Sequence, residues 1–276
     1  MAARCEFSVE FFPPKNPAGE EKLRETIGAL RVLHPDYASV TYGAAGSTQE
    51  RTLATVTMLA RDTDLEAVPH LTCIGSTEVG IRTLLDHYRS EGIRRIVALR
   101  GDLPPDREDP GFFRQALDLI AYIRDYGGFE IFAAAYPEFH PRAADARADL
   151  DYLQGKVEAG ASGLITQYFY NPDAYLQLRD DLARRGIEVP ITVGVMPMTN
   201  YAQIANFSAQ CGAEIPQFLR RRMESFADDP RAQAELAIEV ASRQCRLLLD
   251  QGAPGLHFYT LNQAEATLAI ARNLGL

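Results

Sequence analysis

Glu10 is a carboxylate in a strand-like run, Phe7-Ser8-Val9-Glu10-Phe11-Phe12, which Pro13-Pro14 brings to a stop. Taking an ionised carboxylate out of water is costly, so a group in that setting finds a partner or raises its pKa and stays protonated. A carboxylic acid still protonated at neutral pH is what a general acid must be. The competing reading is that strand alternation turns Glu10 to solvent or that it pairs with an arginine. A second carboxylate, Asp102, ends the run Ala98-Leu99-Arg100-Gly101-Asp102, where it could equally cap a turn or pair with Arg100. His70, in Val68-Pro69-His70-Leu71, suits either a site or a core histidine bonded to backbone. Gln167, between Ile165 and Phe169, carries an amide that must find several hydrogen bonds if buried. Neither the five histidines nor the four cysteines show metal-ligand or C-x-x-C spacing. These groups suit an organic ligand or cofactor better than a metal.

The elements that must position them follow a single rhythm: a short β-rich segment, a polar turn, then apolar residues three and four apart. It repeats eight times. The predicted strands are Phe7–Phe11, Tyr37–Tyr42, Val68–Ile74, Arg95–Leu99, Glu130–Ala135, Gly163–Tyr168, Ile191–Val195 and Gly255–Tyr259. Between them the spacing predicts helices over Glu20–Leu33, Thr48–Arg61, Glu78–Glu91, Phe112–Tyr126, Ala146–Ala159, Asp173–Arg185, Tyr201–Gln210 and Ala264–Leu274. Gly92, Gly127, Gly160, Gly186 and Gly212 each stand just past a periodic segment, where a left-handed residue is wanted. Ser47 with Glu50 reads as a capping box and Thr77 as a simple cap.

Short links between strand and helix imply parallel pairing and right-handed crossovers. Eight such units in one chain predict an α/β fold, a closed (β/α)8 TIM barrel, with residues 1–276 as a single domain. Ile215–Ala227 and Arg231–Gln251 are expected as extra helices between strands seven and eight. In such a barrel the site lies at the C-terminal ends of the strands, and Glu10, Thr41, Tyr42, His70, Asp102, Tyr136, His140, Gln167, Tyr259 and Asn262 all fall there.

Composition narrows the function classes. A net charge of −9 disfavours a nucleic-acid surface, and the basic run Arg220-Arg221-Arg222 reads as a solvated helix face. No window approaches the ~18 apolar residues a membrane span needs, and the N-terminus lacks a signal-peptide core, so a cytoplasmic address is expected. Gly43-Ala44-Ala45-Gly46 has neither G-x-G-x-x-G nor Walker spacing.

Seven motifs, in order along nearly the whole chain, carry a resemblance. Val9-Glu10-Phe11-Phe12-Pro13-Pro14, Val40-Thr41-Tyr42-Gly43-Ala44, Pro69-His70-Leu71-Thr72-Cys73 and Ala98-Leu99-Arg100-Gly101-Asp102 are the first four. Ala134-Ala135-Tyr136-Pro137-Glu138-Phe139-His140-Pro141, Ile165-Thr166-Gln167 and His257-Phe258-Tyr259-Thr260-Leu261-Asn262 complete the set. Together they resemble the bacterial methylenetetrahydrofolate reductases.

The resemblance implies an FAD-dependent reductase that takes hydride from NADH or NADPH and delivers it to 5,10-methylenetetrahydrofolate, a reaction the cell could also run in reverse. Glu10 would protonate the nitrogen that departs when the folate ring opens. Asp102 would act electrostatically beside the flavin and the pterin. Thr41, Gln167, Gln203 and Phe207 match positions of substrate contact. FAD would be held by Thr41, Tyr42, Ala44, His70, Leu99, Arg100, Gly101, Asp102, Tyr136, His140, Ala143, Asp149 and Lys156, the lysine serving as a phosphate partner.

Three positions depart from the family pattern. Gln263, a candidate substrate-binding residue, stands where an arginine associated with the folate glutamate tail is common, so tail binding is expected to be weaker or differently arranged. Tyr152 and Gly155 replace polar and basic residues on the expected FAD-binding helix. The sequence also stops at Leu276 without the regulatory extension of the eukaryotic enzymes, so control through such a domain is not expected. A homo-oligomer is expected. The competing functions are another FAD-dependent barrel oxidoreductase acting on a small amine or amino acid such as proline, and a non-catalytic folate- or flavin-binding module.

Overall fold

Eight parallel strands close into a barrel in chain order: β1 (Glu6–Phe11), β2 (Tyr37–Val40), β3 (Glu66–Thr72), β4 (Arg95–Leu99), β5 (Glu130–Ala135), β6 (Gly163–Thr166), β7 (Ile191–Val195) and β8 (Gly255–Tyr259). The computed structural model describes residues 5–42, 49–102 and 111–276. Strand β8 pairs back onto β1, with Glu10 beside Tyr259 on one side and Ser39 on the other. The helices α1 (Pro17–Leu30), α2 (Gln49–Asp62), α3 (Glu78–Ser90), α4 (Ala116–Tyr126), α5 (Ala146–Ala159) and α6 (Pro172–Arg184) follow the first six strands. Three helices, α7 (Tyr201–Cys211), α8 (Gln217–Ser225) and α9 (Pro230–Asp250), separate β7 from β8, and α10 (Glu265–Leu274) closes the chain. The fold is a (β/α)8 barrel with the expected extra helices.

Strand β1 shows why the sequence folds this way. Its alternate residues Phe7, Val9 and Phe11 are buried against the helix layer, together with Leu23 and Ile27 of α1. The other alternate face, Ser8 and Glu10, looks into the barrel lumen, where Ser8 meets the buried His257. In an open sheet that polar face would meet water; here the closed barrel turns it onto a second, smaller core of Tyr37, Val68, Val97, Phe132 and Ile165.

Capping chemistry moves several helix starts. α1 begins at Pro17 and not at Glu20, because the Asn16 side chain accepts the Gly19 N–H and proline at the first helical position gives up no bond. Its predicted last turn, Arg31–Leu33, is a 3-10 turn that ends on left-handed His34. α4 begins at Ala116 and not at Phe112, since the Asp118 carboxylate takes the Arg114 and Gln115 N–H groups. Strands β2, β3 and β6 stop at Val40, Thr72 and Thr166, short of the predicted ends, though the Thr41 N–H still donates to the Phe11 carbonyl at 2.9 Å and the Gln167 N–H to the Ala135 carbonyl at 2.7 Å. The five C-terminal glycines all have positive φ, and Thr77 caps α3 through Gly80. Ser47, the Gly43–Gly46 segment and the polar stretch 104–110 lie outside the described residues.

The seam between β6 and β7 is short, with Leu164 opposite Ile191 and Ile165 opposite Thr192. Beyond it Thr166 Oγ1 accepts the Gly194 N–H at 2.8 Å, and the Tyr259 hydroxyl donates to the Thr166 carbonyl at 2.7 Å. Gly194 must be glycine, because a Cβ there would lie 2.1 Å from that carbonyl oxygen and 2.8 Å from the Tyr259 ring. The clasp fixes the residue that follows, Gln167. Among the described residues no helix is long and apolar enough to cross a membrane.

Candidate active site

The C-terminal ends of the strands surround a cavity of about 570 Å³, and Glu10 lies in its wall. Two histidines flank the carboxylate: His70 Nε2 stands 3.2 Å from Oε2 and His257 Nε2 stands 3.6 Å from the same oxygen. Burial pushes the Glu10 carboxyl up, but the charge of His70 and the contact with His257 outweigh it and bring it down to about 2. Burial holds His257 below its usual value against the pull of Glu10. The resting carboxyl is therefore ionised, not the protonated acid expected from the strand alone. Its partners come from β3 and β8, far along the chain, and nothing in the local run announces them.

His257 is the functional group that sequence reading passed over. Fully buried in the lumen, it hydrogen-bonds Ser8 Oγ through Nδ1 at 2.8 Å and Ser39 Oγ through Nε2 at 3.3 Å, under the stacked ring of Tyr37. The pattern that could have found it is the inward register Ser8, Ser39 and His257, three polar residues on lumen-facing positions of adjacent strands. His70 Nε2 is buried and, despite its 3.2 Å approach to Glu10, has no aligned hydrogen-bond partner among the described residues. It is a core histidine by burial and a site residue by position.

Residues after β8 hold Glu10 in place. Thr260 Oγ1 donates to the Glu10 carbonyl at 2.6 Å, and the Asn262 side chain both accepts from the Phe12 N–H and donates to the Phe12 carbonyl. Asn262 has φ of 54°, a conformation asparagine tolerates well. Its side chain is a fastener and not a ligand contact.

A second groove of about 640 Å³ continues from the mouth along β4, β5 and α5. Leu99, Arg100, Gly101 and Asp102 form one wall; Ala143, Asp149 and Lys156 form the other. Gly101 has φ of +80°, and a Cβ on it would press on Thr72 at 3.0 Å. Lys156, which spacing read alone would make a surface partner of Asp149, is buried. Its Nζ donates to the Ala134 carbonyl at 2.7 Å and lies 5.1 Å from the Tyr152 ring centre, and burial lowers its pKa to about 8 against the pull of Asp149. Tyr136 packs edge-on to His140, whose own backbone N–H goes to Asp149.

Most expected residues thus converge. Thr41, Tyr42, Gln167 and Phe207 line the mouth with Glu10 and His70, while Asp102, Tyr136 and His140 line both cavities. The Gln167 side chain accepts from the Tyr168 N–H at 3.0 Å. Asp102 pairs with Arg142 at 3.0 Å and not with Arg100, and its side chain is 84% exposed. Gln203 and Gln263 are exposed and line neither cavity. Gln203 serves the first turn of α7, its N–H capped by Asn200. Ala44 lies outside the described residues.

Comparison with known proteins finds relatives along the whole chain. The profile of the family described as methylenetetrahydrofolate reductase matches residues 2–275. The 5,10-methylenetetrahydrofolate reductase of Pectobacterium carotovorum subsp. carotovorum is 38% identical over 275 residues, covering 100% of this chain and 92% of that protein. The Escherichia coli K12 protein of the same name is 40% identical over 268 residues, 97% of this chain and 90% of its own. The chain belongs to the methylenetetrahydrofolate reductase family.

A solved Clostridium thermocellum protein, described as binding two copies of 5-methyl-5,6,7,8-tetrahydrofolic acid, has the same barrel. Its TM-score is 0.65 at 15% identity, with 99% of this chain and 95% of that one covered. Against the methylenetetrahydrofolate reductase pattern, the departures at Tyr152 and Gly155 have separate explanations. Tyr152 lines the groove and covers Lys156. Gly155 faces α4, where a Cβ would meet Leu117 at 2.8 Å, so its glycine serves helix packing.

Proposed function

We propose that this chain is an FAD-dependent reductase that passes hydride from NADH or NADPH to 5,10-methylenetetrahydrofolate and forms 5-methyltetrahydrofolate. The observation that carries the reading is Glu10, a buried carboxylate between two imidazoles at the mouth of a barrel whose second groove ends at a buried lysine.

The residues fit the cofactor on three counts. His70 Nε2 is a buried polar atom that lacks an aligned partner at the mouth. Lys156 offers a buried cation to the groove, suited to a phosphate. Gly101 keeps the groove wall bare where a side chain would press on Thr72. When bound, FAD would supply two-electron hydride transfer between the two substrates.

The chain's own groups do the rest. Glu10 stands between its two histidines, and its affinity for a proton depends on both contacts. A folate over the mouth excludes water, and loss of water raises the cost of the carboxylate charge and drives the proton onto Glu10. From there it reaches the nitrogen that leaves when the folate ring opens. Gln167, fixed through the clasp at Thr166, offers its amide to the ring, and Phe207 gives a partly exposed aromatic face for the rest of the folate.

The test separates the half-reactions by anaerobic stopped-flow. Glu10→Gln should leave flavin content and reduction by the nicotinamide largely intact while folate reduction falls by about 10²-fold or more, the loss of a general acid. Equal losses in both halves would remove Glu10 from the proton's path, and a parent chain that takes up no flavin would end the reading.

A further inference from the structure

The two cavities share one wall. Leu99, Asp102, Ala134, Tyr136, His140 and Arg142 line both the mouth and the groove, so a ligand that fills the two together must cross them. In this wall Asp102 and Arg142 bear the fixed charges, and they meet: Arg142 Nη2 donates to Asp102 Oδ1 at 3.0 Å.

Arg142 is delivered there by its own loop. Its N–H bonds His140 Nδ1 at 3.1 Å, His140 is fastened to Asp149 and packed on Tyr136, and Pro141 sits where a Cβ on Gly212 would lie 2.8 Å from its ring. The backbone of Arg142 is therefore held from both sides, and its guanidinium meets Asp102, from the end of β4, across the wall. With side chains 54% and 84% exposed, the pair is solvated and weak while the wall is open to water. A ring laid across the wall expels that water, and each charge then acts through a lower effective dielectric.

We propose that Arg142 is the countercharge of Asp102 and, as a positioning residue, sets the reduction potential of the flavin that crosses this wall; the inference rests on the flavin reading above. Reduction adds two electrons and a proton to the flavin. An uncompensated Asp102 beside it opposes the added electron density, whereas the paired arginine cancels that field. Asp102 alone would make the flavin a poor hydride acceptor; the pair makes it a usable one.

Redox titration of the bound flavin at fixed pH and salt tests this in the parent, Arg142→Gln, Arg142→Lys, Asp102→Asn and the Arg142→Gln/Asp102→Asn double variant. Arg142→Gln should lower the equilibrium constant for two-electron reduction about tenfold, a potential about 30 mV more negative. Arg142→Lys should restore most of the loss by retaining the charge. In the Asp102→Asn background the arginine change should move the potential by less than about a third as much, because nothing then holds the cation in place. An unchanged potential in Arg142→Gln, no restoration by lysine, or equal shifts in both backgrounds would each overturn the pair and leave the flavin reading standing. A parent chain that binds no flavin would overturn both.

Discussion

At the floor of the barrel Arg95 donates to Glu130 at 2.7 Å and lies 3.5 Å from Glu66 and 3.6 Å from Glu6, with its guanidinium carbon 5.5 Å from the Tyr37 and Phe132 rings. At the mouth Glu10 lies between His70 and His257. Both clusters are built from strand residues, yet Glu6 and Glu66 at the floor move in the opposite direction from Glu10 at the mouth. Burial pushes Glu6 and Glu66 up even though an arginine stands beside them, while Glu10 falls to about 2 with no arginine paired to it among the described residues. The count of charges explains this. At the floor three carboxylates divide one guanidinium and repel one another, whereas at the mouth one carboxylate has two imidazoles to itself. The floor holds a cation that never gives up its proton; the mouth holds groups that can.

The comparison predicts a division of labour that two substitutions should expose. Glu10→Gln should lose about 10²-fold or more in folate reduction and also some stability at pH 7, because it removes a carboxylate whose ionised form the fold favours. Arg95→Leu should lose stability alone. It strands three acids at a partly buried floor, which costs about 2–3 kcal/mol of stability and lowers Tm by roughly 5–10 °C. Flavin content and both half-reactions at 25 °C should survive. An Arg95→Leu protein that melts normally but reduces folate slowly would collapse the distinction between the two ends.

Acid titration should separate the ends as well. A histidine whose folded pKa is depressed stabilises the fold above its ordinary value of 6.5, and this contribution is lost as pH falls from there. Glu10, lowered from 4.5 to about 2, supplies stability that is lost across that lower window. The mouth thus weakens stepwise on acidification, by up to about 1.4 kcal/mol per pH unit for each group. Denaturant unfolding of His257→Gln between pH 7 and 5 should show a shallower decline than the parent. A slope unchanged from the parent's would mean that His257 is not held neutral by its burial.

Much of this was legible in the chain. Eight β-rich segments and the glycines behind the helices mark the barrel, because period-2 and period-3.6 patterns are local. Glu10, His70, Asp102 and Gln167 are legible as polar groups at strand ends. What local pattern does not carry is a partner from another strand: His257 meets Ser8 and Ser39 by register alone, and Arg142 meets Asp102 through the folding of a loop. Helical spacing alone would pair Lys156 with Asp149 on the surface, and only the resemblance gives it a place beside a cofactor; α5 lies along the groove and buries it. Gln203 and Gln263, matched to substrate positions by the resemblance, are exposed and line neither cavity.

The smallest effect gives the finest test of the three-to-one count at the floor. Glu130 makes the short, aligned bond to Arg95, so Glu130→Gln should cost about 1 kcal/mol at pH 7, the value of one charge-assisted bond in a partly solvated setting. Glu66 stands farther from the guanidinium and is raised above 4.5 by burial. A carboxylate raised in the folded state contributes stability below its ordinary pKa, and that contribution is lost as pH rises through the folded value. The charge that Glu66→Gln removes is one that burial and the nearby Glu130 disfavour, while Arg95 keeps Glu130 and Glu6. Stability at pH 7 should then stay within about 0.5 kcal/mol of the parent's or rise, and the variant should lose ground to the parent as the pH is brought down to 4. If Glu66→Gln instead costs as much as Glu130→Gln at pH 7, the floor has no surplus acid, and charge stoichiometry does not explain why Glu6 and Glu66 titrate upward while Glu10 titrates downward.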